Sequence, residues 1–310
     1  MKWLQTEMDE VAMTGSIKKF EYRAPRSLRQ ALEILDHHGE AARVLAGGTD
    51  LIVQMKQGMV HPACVVDVKR IPELNVLDWK PEDGLHIGAA VPISRLLTLP
   101  VVWEKYNILA QACSGIGSMQ LRNRATLGGN ICNAAPSADS APPLLCLRAK
   151  AVMVSSKGVR AIPLEDFFLA PGETARINRE LLVEIVIPTP ESLSAGCYLK
   201  HGTREKMDIA VAGVASFLSL SAQDRKLKAV RIALGAVAPR PMRAPQTEAI
   251  LTKNLLNRQS IEAAAEQAAN EAEPISDLRG SAEYRREIVK VLTRRTLNKA
   301  CESLGVAIQC

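Results

Sequence analysis

Residues 43–68 read RVLAGGTDLIVQMKQGMVHPACVVDV, and this stretch decides the fold. Arg43 to Ala46 is a short strand that runs into Gly47-Gly48, Leu51 to Gln57 has helical spacing, and Cys64 to Val68 is a second apolar strand. A strand, a glycine turn, a helix and a strand make an α/β unit. Glycines let a backbone turn sharply and approach a ligand without an intervening side chain. A helix start beside them favours an anion, and Thr49 adds a hydroxyl. By itself, the same turn is equally readable as a tight connection that binds nothing.

Working outward, the same chemistry returns at Thr126-Leu127-Gly128-Gly129-Asn130, a second glycine turn. Gln120-Leu121-Arg122-Asn123-Arg124 precedes it, and Asn133-Ala134-Ala135-Pro136-Ser137-Ala138-Asp139 follows. Two such turns suit the two phosphates of a dinucleotide. Asp139 then suits a ribose or ribityl hydroxyl, and Arg122 and Arg124 are candidates to neutralise phosphate, with surface ion pairing as their other reading.

Upstream, Leu28, Ala31, Leu32 and Leu35 share a helix face, with Ser27 as N-cap and Gly39 as stop. Downstream, a small-residue helix is expected over 108–118. Gly84 to Ala90, Ala151 to Val154, Val159 to Ile162 and Leu182 to Ile187 read as strands, and Pro188 and Pro190 end the last one. Beyond that boundary, Tyr198 to Gly202, Ala212 to Leu220 and Ala229 to Leu234 read as antiparallel strands. Ser260 to Ala272 and Glu283 to Leu304 read as helices, with Ile288, Val291 and Leu292 on one face.

The 310 residues, 47% hydrophobic and 23% charged, fit an ordinary two-domain globular chain. Aromatics at 4% leave no stacking platform for single-stranded nucleic acid. The net charge is +6, and its densest basic stretches, Arg285-Arg286, Lys290 and Arg294-Arg295, fit a solvated helix face. No apolar run spans a membrane and the opening segment lacks a signal-peptide core, so the expected compartment is cytoplasmic. The seven cysteines are scattered, with no C-x-x-C pair and no cluster for zinc or iron–sulfur, which suits reduced thiols. No histidine pair has metal spacing, no metal site is expected on this chain, and no catalytic acid, base or nucleophile emerges. There is no P-loop, and Gly115-Ile116-Gly117 fails as a dinucleotide fingerprint because a helix precedes it and Gln120 stands at the third glycine. The chain reads as a holder in which a cofactor does the chemistry.

Read together, AGGTDL (46–51), IGSMQLRNRATLGGNICNAAPSAD (116–139), Tyr198-x-Lys200…Arg204…Asp208-x-Ala210 and DLRGSAEYRREIVKVLTRRTL (277–297) resemble the FAD-binding medium subunits of molybdenum hydroxylases. Xanthine dehydrogenase and carbon monoxide dehydrogenase are of this type. The resemblance implies an α+β chain. Its two-lobed FAD-binding domain is of the p-cresol methylhydroxylase/vanillyl-alcohol-oxidase type and occupies 18–190, with lobes of about 18–72 and 73–190. An extension at 1–17 precedes it. A small α+β C-terminal domain, an antiparallel sheet with helices, follows at 195–304.

The resemblance also implies site roles. Leu45, Ala46, Gly47, Gly48, Thr49, Asp50 and Leu51, with Thr126, Gly128, Gly129, Asn130 and Asn133, would wrap the FAD pyrophosphate. Asp139 would hold cofactor hydroxyls, Ile116 would lie near the adenine, and Val183 and Lys200 near the flavin. Val183 is equally good as core, and Asp208 reads as a structural hydrogen-bonder. Some relatives have a GG-His-Ser turn and distant ones a covalent histidine link; Thr49 and Asp50 stand here, so non-covalent FAD is expected. No cysteine-rich insert marks a [4Fe–4S] cluster. The implied function is electron transfer from [2Fe–2S] clusters of a small partner through FAD to NAD, a quinone or oxygen. A large partner would carry the molybdenum cofactor, in a dimer of heterotrimers. Two other readings stand beside this one: a stand-alone flavin oxidoreductase of the same fold, and a scaffold subunit that has lost FAD.

Overall fold

The computed structural model describes residues 17–306 and 308, apart from 178, 205, 206, 225, 254 and 255. The expected extension at 1–17 therefore lies outside the described residues except for Ile17, as does Cys310.

The quoted unit folds as its pattern dictates. β1 (Glu21–Arg23), β2 (Ala42–Leu45) and β3 (Cys64–Asp67) form a parallel sheet ordered β1-β3-β2. All four residues of central β3 are buried, the mark of a strand covered on both faces. The helix Leu51–Lys56 carries the crossover from β2 to β3. The helix Leu28–His38 packs on β3 through Ala31 and Leu35. The Ser27 hydroxyl accepts the Gln30 amide, and Gly39, at φ +53°, ends the helix.

A second sheet is antiparallel throughout. It contains β4 (Leu77–Lys80), β5 (Gly84–Gly88), β6 (Lys150–Ser155), β7 (Gly158–Pro163) and, after a ribbon of β8 (Phe168–Ala170) and β9 (Glu173–Thr174), β10 (Leu181–Ile187). The order is β4-β5-β10-β6-β7. Of the helices between β5 and β6, Leu127–Asn133 packs on β10. The helix expected over 108–118 ends at Ser114, because Gly115 closes it and Gly117 takes φ +51°.

The third sheet, β11 (Ser194–His201), β12 (Ala212–Leu220), β13 (Leu227–Gly235) and β14 (Met242–Arg243), is an antiparallel meander. Every residue of β12 is buried, so both faces of this sheet are covered. Ala212, Val214 and Leu218 join a core under the helices Arg258–Glu271 and Ala282–Ser303. Ala215 and Phe217 point the other way, into the core shared with the first two sheets. Helices Asn107–Ser114 and Ala141–Cys146 close that side.

The basic helix face departs from its sequence reading. Arg285 is only 4% exposed, not solvated. Its guanidinium donates to the carbonyls of Val211 and Ala236 and pairs with Asp277 at 2.6 Å. A long side chain here clamps the start of the last helix to the ends of β12 and β13. Lys290 and Arg294 form surface pairs with glutamates, as a wet face would.

Phe217 anchors the third sheet in the core shared with the first two: it is 3% exposed, and Arg231 stacks 4.7 Å over its ring. Phe217→Ala is expected to lower stability by about 3–5 kcal/mol, read by urea denaturation. A loss within about 0.5 kcal/mol, that of a surface change, would show that this ring is no anchor of that core.

Candidate functional site

The first glycine turn lies against the entry to the second. A Cβ added to Gly47 would sit 2.1 Å from the carbonyl oxygen of Arg124 and 2.9 Å from the Cα of Ala125. No side chain fits there, so the sequence needs glycine for close backbone approach. Gly48 needs it for conformation, at φ +78°. Leu45, Ala46, Gly47, Gly48, Thr49 and Leu51 are half-buried and Asp50 is exposed. The Thr49 hydroxyl reaches Asp50 Oδ2 only at 3.5 Å.

The second stretch is not the sharp glycine turn its composition suggests. Gly128 and Gly129 lie within the helix Leu127–Asn133, in ordinary helical conformation. Buried Thr126 caps it, its hydroxyl accepting the Gly129 amide at 2.9 Å. Gly128 is required for packing, since a Cβ there would lie 2.6 Å from the Ala89 carbonyl oxygen. Gly129 differs: an added Cβ would meet only the Thr126 hydroxyl, at 3.1 Å. Gly129 itself is half-buried. Asn133 Oδ1 accepts from Gln54 Nε2 at 3.1 Å, tying this helix to the one that follows the first turn. Asn130 Oδ1 accepts from the Ser140 hydroxyl at 2.6 Å.

Asp139 lies at the junction with the third sheet. Lys200 Nζ donates to Asp139 Oδ2 at 2.7 Å, and the Tyr198 hydroxyl donates to Oδ1 at 2.7 Å. Tyr198 and Lys200 are two apart on β11, so one face of the strand presents both. The Lys200 ammonium also reaches the carbonyls of Asp208 (3.2 Å) and Gly115 (3.4 Å). Burial raises the Asp139 carboxyl above the usual carboxylate range, opposed by Lys200 and then by Tyr198. Burial and the charge of Asp139 push the Tyr198 hydroxyl well above its ordinary value.

The remaining residues fall around this frame. Ile116 is half-buried, and its carbonyl accepts from Arg122 at 2.9 Å. Arg122 is thus spent on bracing the 116–117 loop, while Arg124 is exposed. Val183 is 9% exposed, sits at a bulge in β10, and its carbonyl accepts the Ala89 amide at 2.8 Å. Ala89 is the residue that Gly128 packs on, so Val183 and the second turn share one neighbour. Asp208 accepts from the Thr203 hydroxyl and the amides of Arg204 and Ile209, as a loop organiser does.

The sequence reading overlooks Tyr198 as a site residue, although its i, i+2 spacing to Lys200 is the signal that would find it. It also overlooks Ala89 and Gln54, which no motif marks. A surface cavity of about 700 Å³, lined by Arg240, Arg243, Gln246 and Gln267 among others, shares no lining residue with the turns. Its arginines are already engaged, Arg243 by Glu248 and Glu165 and Arg240 by the Phe168 carbonyl.

Comparison with known proteins places this geometry. Residues 18–190 match the FAD binding domain in molybdopterin dehydrogenase, and residues 197–300 match the CO dehydrogenase flavoprotein C-terminal domain. The chain is 33% identical over 284 residues to the carbon monoxide dehydrogenase medium chain of Hydrogenophaga pseudoflava, covering 91% of this chain and 97% of that one. It is 32% identical over 289 residues to the xanthine dehydrogenase FAD-binding subunit of Escherichia coli O157:H7, covering 93% and 98%. Among solved structures it is similar to carbon monoxide dehydrogenase from Hydrogenophaga pseudoflava lacking the Mo-pyranopterin moiety of its molybdenum cofactor. The TM-score is 0.88 at 33% identity, over 93% of this chain and 99% of that one. Quinoline 2-oxidoreductase from Pseudomonas putida 86 follows at TM-score 0.86 and 31% identity, over 93% and 99%. With both domain matches in chain order, spanning the turns and the sheet behind them, this chain belongs to the FAD-binding medium subunits of the xanthine and carbon monoxide dehydrogenase family of oxidoreductases.

Proposed function

We propose that this chain is the electron-transfer flavoprotein of a heteromeric molybdenum hydroxylase. A large partner subunit with the molybdenum cofactor oxidises the substrate, and a small partner with [2Fe–2S] clusters relays electrons to this chain. An external acceptor, NAD, a quinone or oxygen, receives them. The assembly is a dimer of heterotrimers in the cytoplasm, and the FAD-binding and C-terminal domains divide between residues 190 and 195. No helix among the described residues is long and apolar enough to cross a membrane.

When bound, FAD supplies the redox chemistry; the chain's own residues bind, orient and tune it. The observation that carries this reading is the abutment of the two turns next to Gly129, where an added Cβ would meet only the Thr126 hydroxyl. A glycine-lined helix start suits a pyrophosphate. Residues 45–51 grip it from one side, and Thr126, Gly128, Gly129, Asn130 and Asn133 from the other. Asp139 keeps a second lone pair on each oxygen beyond those used by Tyr198 and Lys200, and accepts from cofactor hydroxyls there. Ile116 offers the adenine an apolar contact, and Val183 and Lys200 lie on the flavin side. Thr49 and Asp50 provide no covalent tether, so the cofactor is held non-covalently.

Native purification through this chain tests the assembly. The expected result is flavin and iron–sulfur absorption with two further subunits. A lone flavin-bearing chain, reducible by a small molecule, would overturn it.

Gly129→Leu tests the cradle. The first atom of this side chain would meet only the Thr126 hydroxyl, at 3.1 Å, so circular dichroism should be unchanged while flavin occupancy falls more than tenfold. Full occupancy would remove the second turn from the cofactor site.

Lys200→Met tests the brace on Asp139. The variant leaves a carboxyl whose folded pKa is already raised with no cation beside it, so ionisation costs more folded than unfolded. At pH 7 the expected loss is about 2–3 kcal/mol, below the ~3–5 of a fully buried pair because the lysine is partly exposed. The loss should shrink as pH falls towards about 4, where the unfolded carboxylate protonates. Thermal melts across that range read the effect, and a pH-independent loss would reduce Lys200 to packing.

A further inference from the structure

Cys64 lies in the middle of the first sheet, directly beside Glu21 of β1 in the parallel ladder. Partner residues on adjacent parallel strands present their side chains to the same face. The helix Leu28–His38 packs against that sheet and ends with His38 at the same place. A carboxylate oxygen of Glu21, a ring nitrogen of His38 and the sulfur of Cys64 all lie within 4.8 Å of one another. His38 Nε2 and Glu21 Oε2 are already 3.3 Å apart.

We infer that Glu21, His38 and Cys64 form a zinc site, with a fourth position open to water. The ligand set mixes a thiolate, an imidazole and a carboxylate, the donors zinc takes in tetrahedral sites. Bonds of about 2.0–2.3 Å at tetrahedral angles need ligand atoms roughly 3.3–3.8 Å apart. The cluster is at that spacing on one edge and needs a contraction of at most about 1.5 Å on the others, within reach of side-chain rotation. Accessibility also fits. Cys64 is fully buried, while the side chains of Glu21 and His38 are 39% and 20% exposed, so the sulfur lies beneath two ligands that solvent reaches. Without a cation the thiol is held protonated by burial and by the charge of Glu21. On binding, the S–H bond gives way to S–Zn and the proton leaves to solvent. Arg23 pairs with the other carboxylate oxygen of Glu21 than His38 does.

The site ties three-residue β1 and the end of the first helix to β3. It shares no residue with the proposed cofactor site. Sequence spacing conceals it, because the three ligands are far apart in the chain and only sheet pairing brings them together.

Zinc content of the full-length chain after zinc loading and exhaustive dialysis tests the inference, with Co²⁺ as a spectroscopic probe. The expected result is one zinc per chain and, in cobalt-minus-apo difference spectra, a thiolate-to-cobalt charge-transfer band. Cys64→Ser should abolish the band, and His38→Gln and Glu21→Gln should each weaken zinc at least tenfold. The last two residues are partly exposed, so these variants keep the test valid if Cys64→Ser folds poorly. Zinc retention no greater than in the triple variant, or a cobalt band that survives Cys64→Ser, would overturn the site. Flavin content is expected to be unchanged throughout.

Discussion

Two backbone contacts without room for a Cβ hold the architecture together. Gly47 lies on the carbonyl of Arg124, and Gly128 lies on Ala89. The first joins the parallel sheet to the entry of the helix Leu127–Asn133; the other joins that helix to the residue after β5 of the antiparallel sheet. Both contacts exclude every residue but glycine on steric grounds, before any ligand is considered. The pairing of turns proposed as a dinucleotide cradle is therefore also a seam between the first two sheets.

Much of this was legible in the residues. The strand–glycine–helix–strand unit at 43–68 follows its apolar pattern, and Ser27 and Gly39 bracket their helix as caps do. Strands β12 and β13 follow their runs closely. What escaped has identifiable causes. Gly128 and Gly129 are helical because Thr126 caps them, and a T-x-G-G string does not distinguish a capped helix from a tight turn. The helix Ala141–Cys146 begins with two prolines, which are tolerated in a first turn but read as a break. Arg285 looked solvated because a one-dimensional charge pattern cannot show that two carbonyls and Asp277 converge on it.

The candidate site divides the same way. The turns announce themselves through glycine, hydroxyl and small polar residues. The polar brace does not, since Asp139 and Lys200 lie 61 residues apart and meet only across the junction of the second and third sheets. Tyr198 belongs to that brace through strand alternation. The polar end of the candidate site is thus supplied from a different sheet than its glycine turns.

The strand β12 carries a further meaning. Because one of its faces belongs to each hydrophobic core, unfolding of this strand opens both cores at once. The two halves of the chain are then coupled in hydrogen exchange through it. A cofactor gripped by the turns of the first half would slow amide exchange in the last helix, more than a hundred residues further along, with no contact between them.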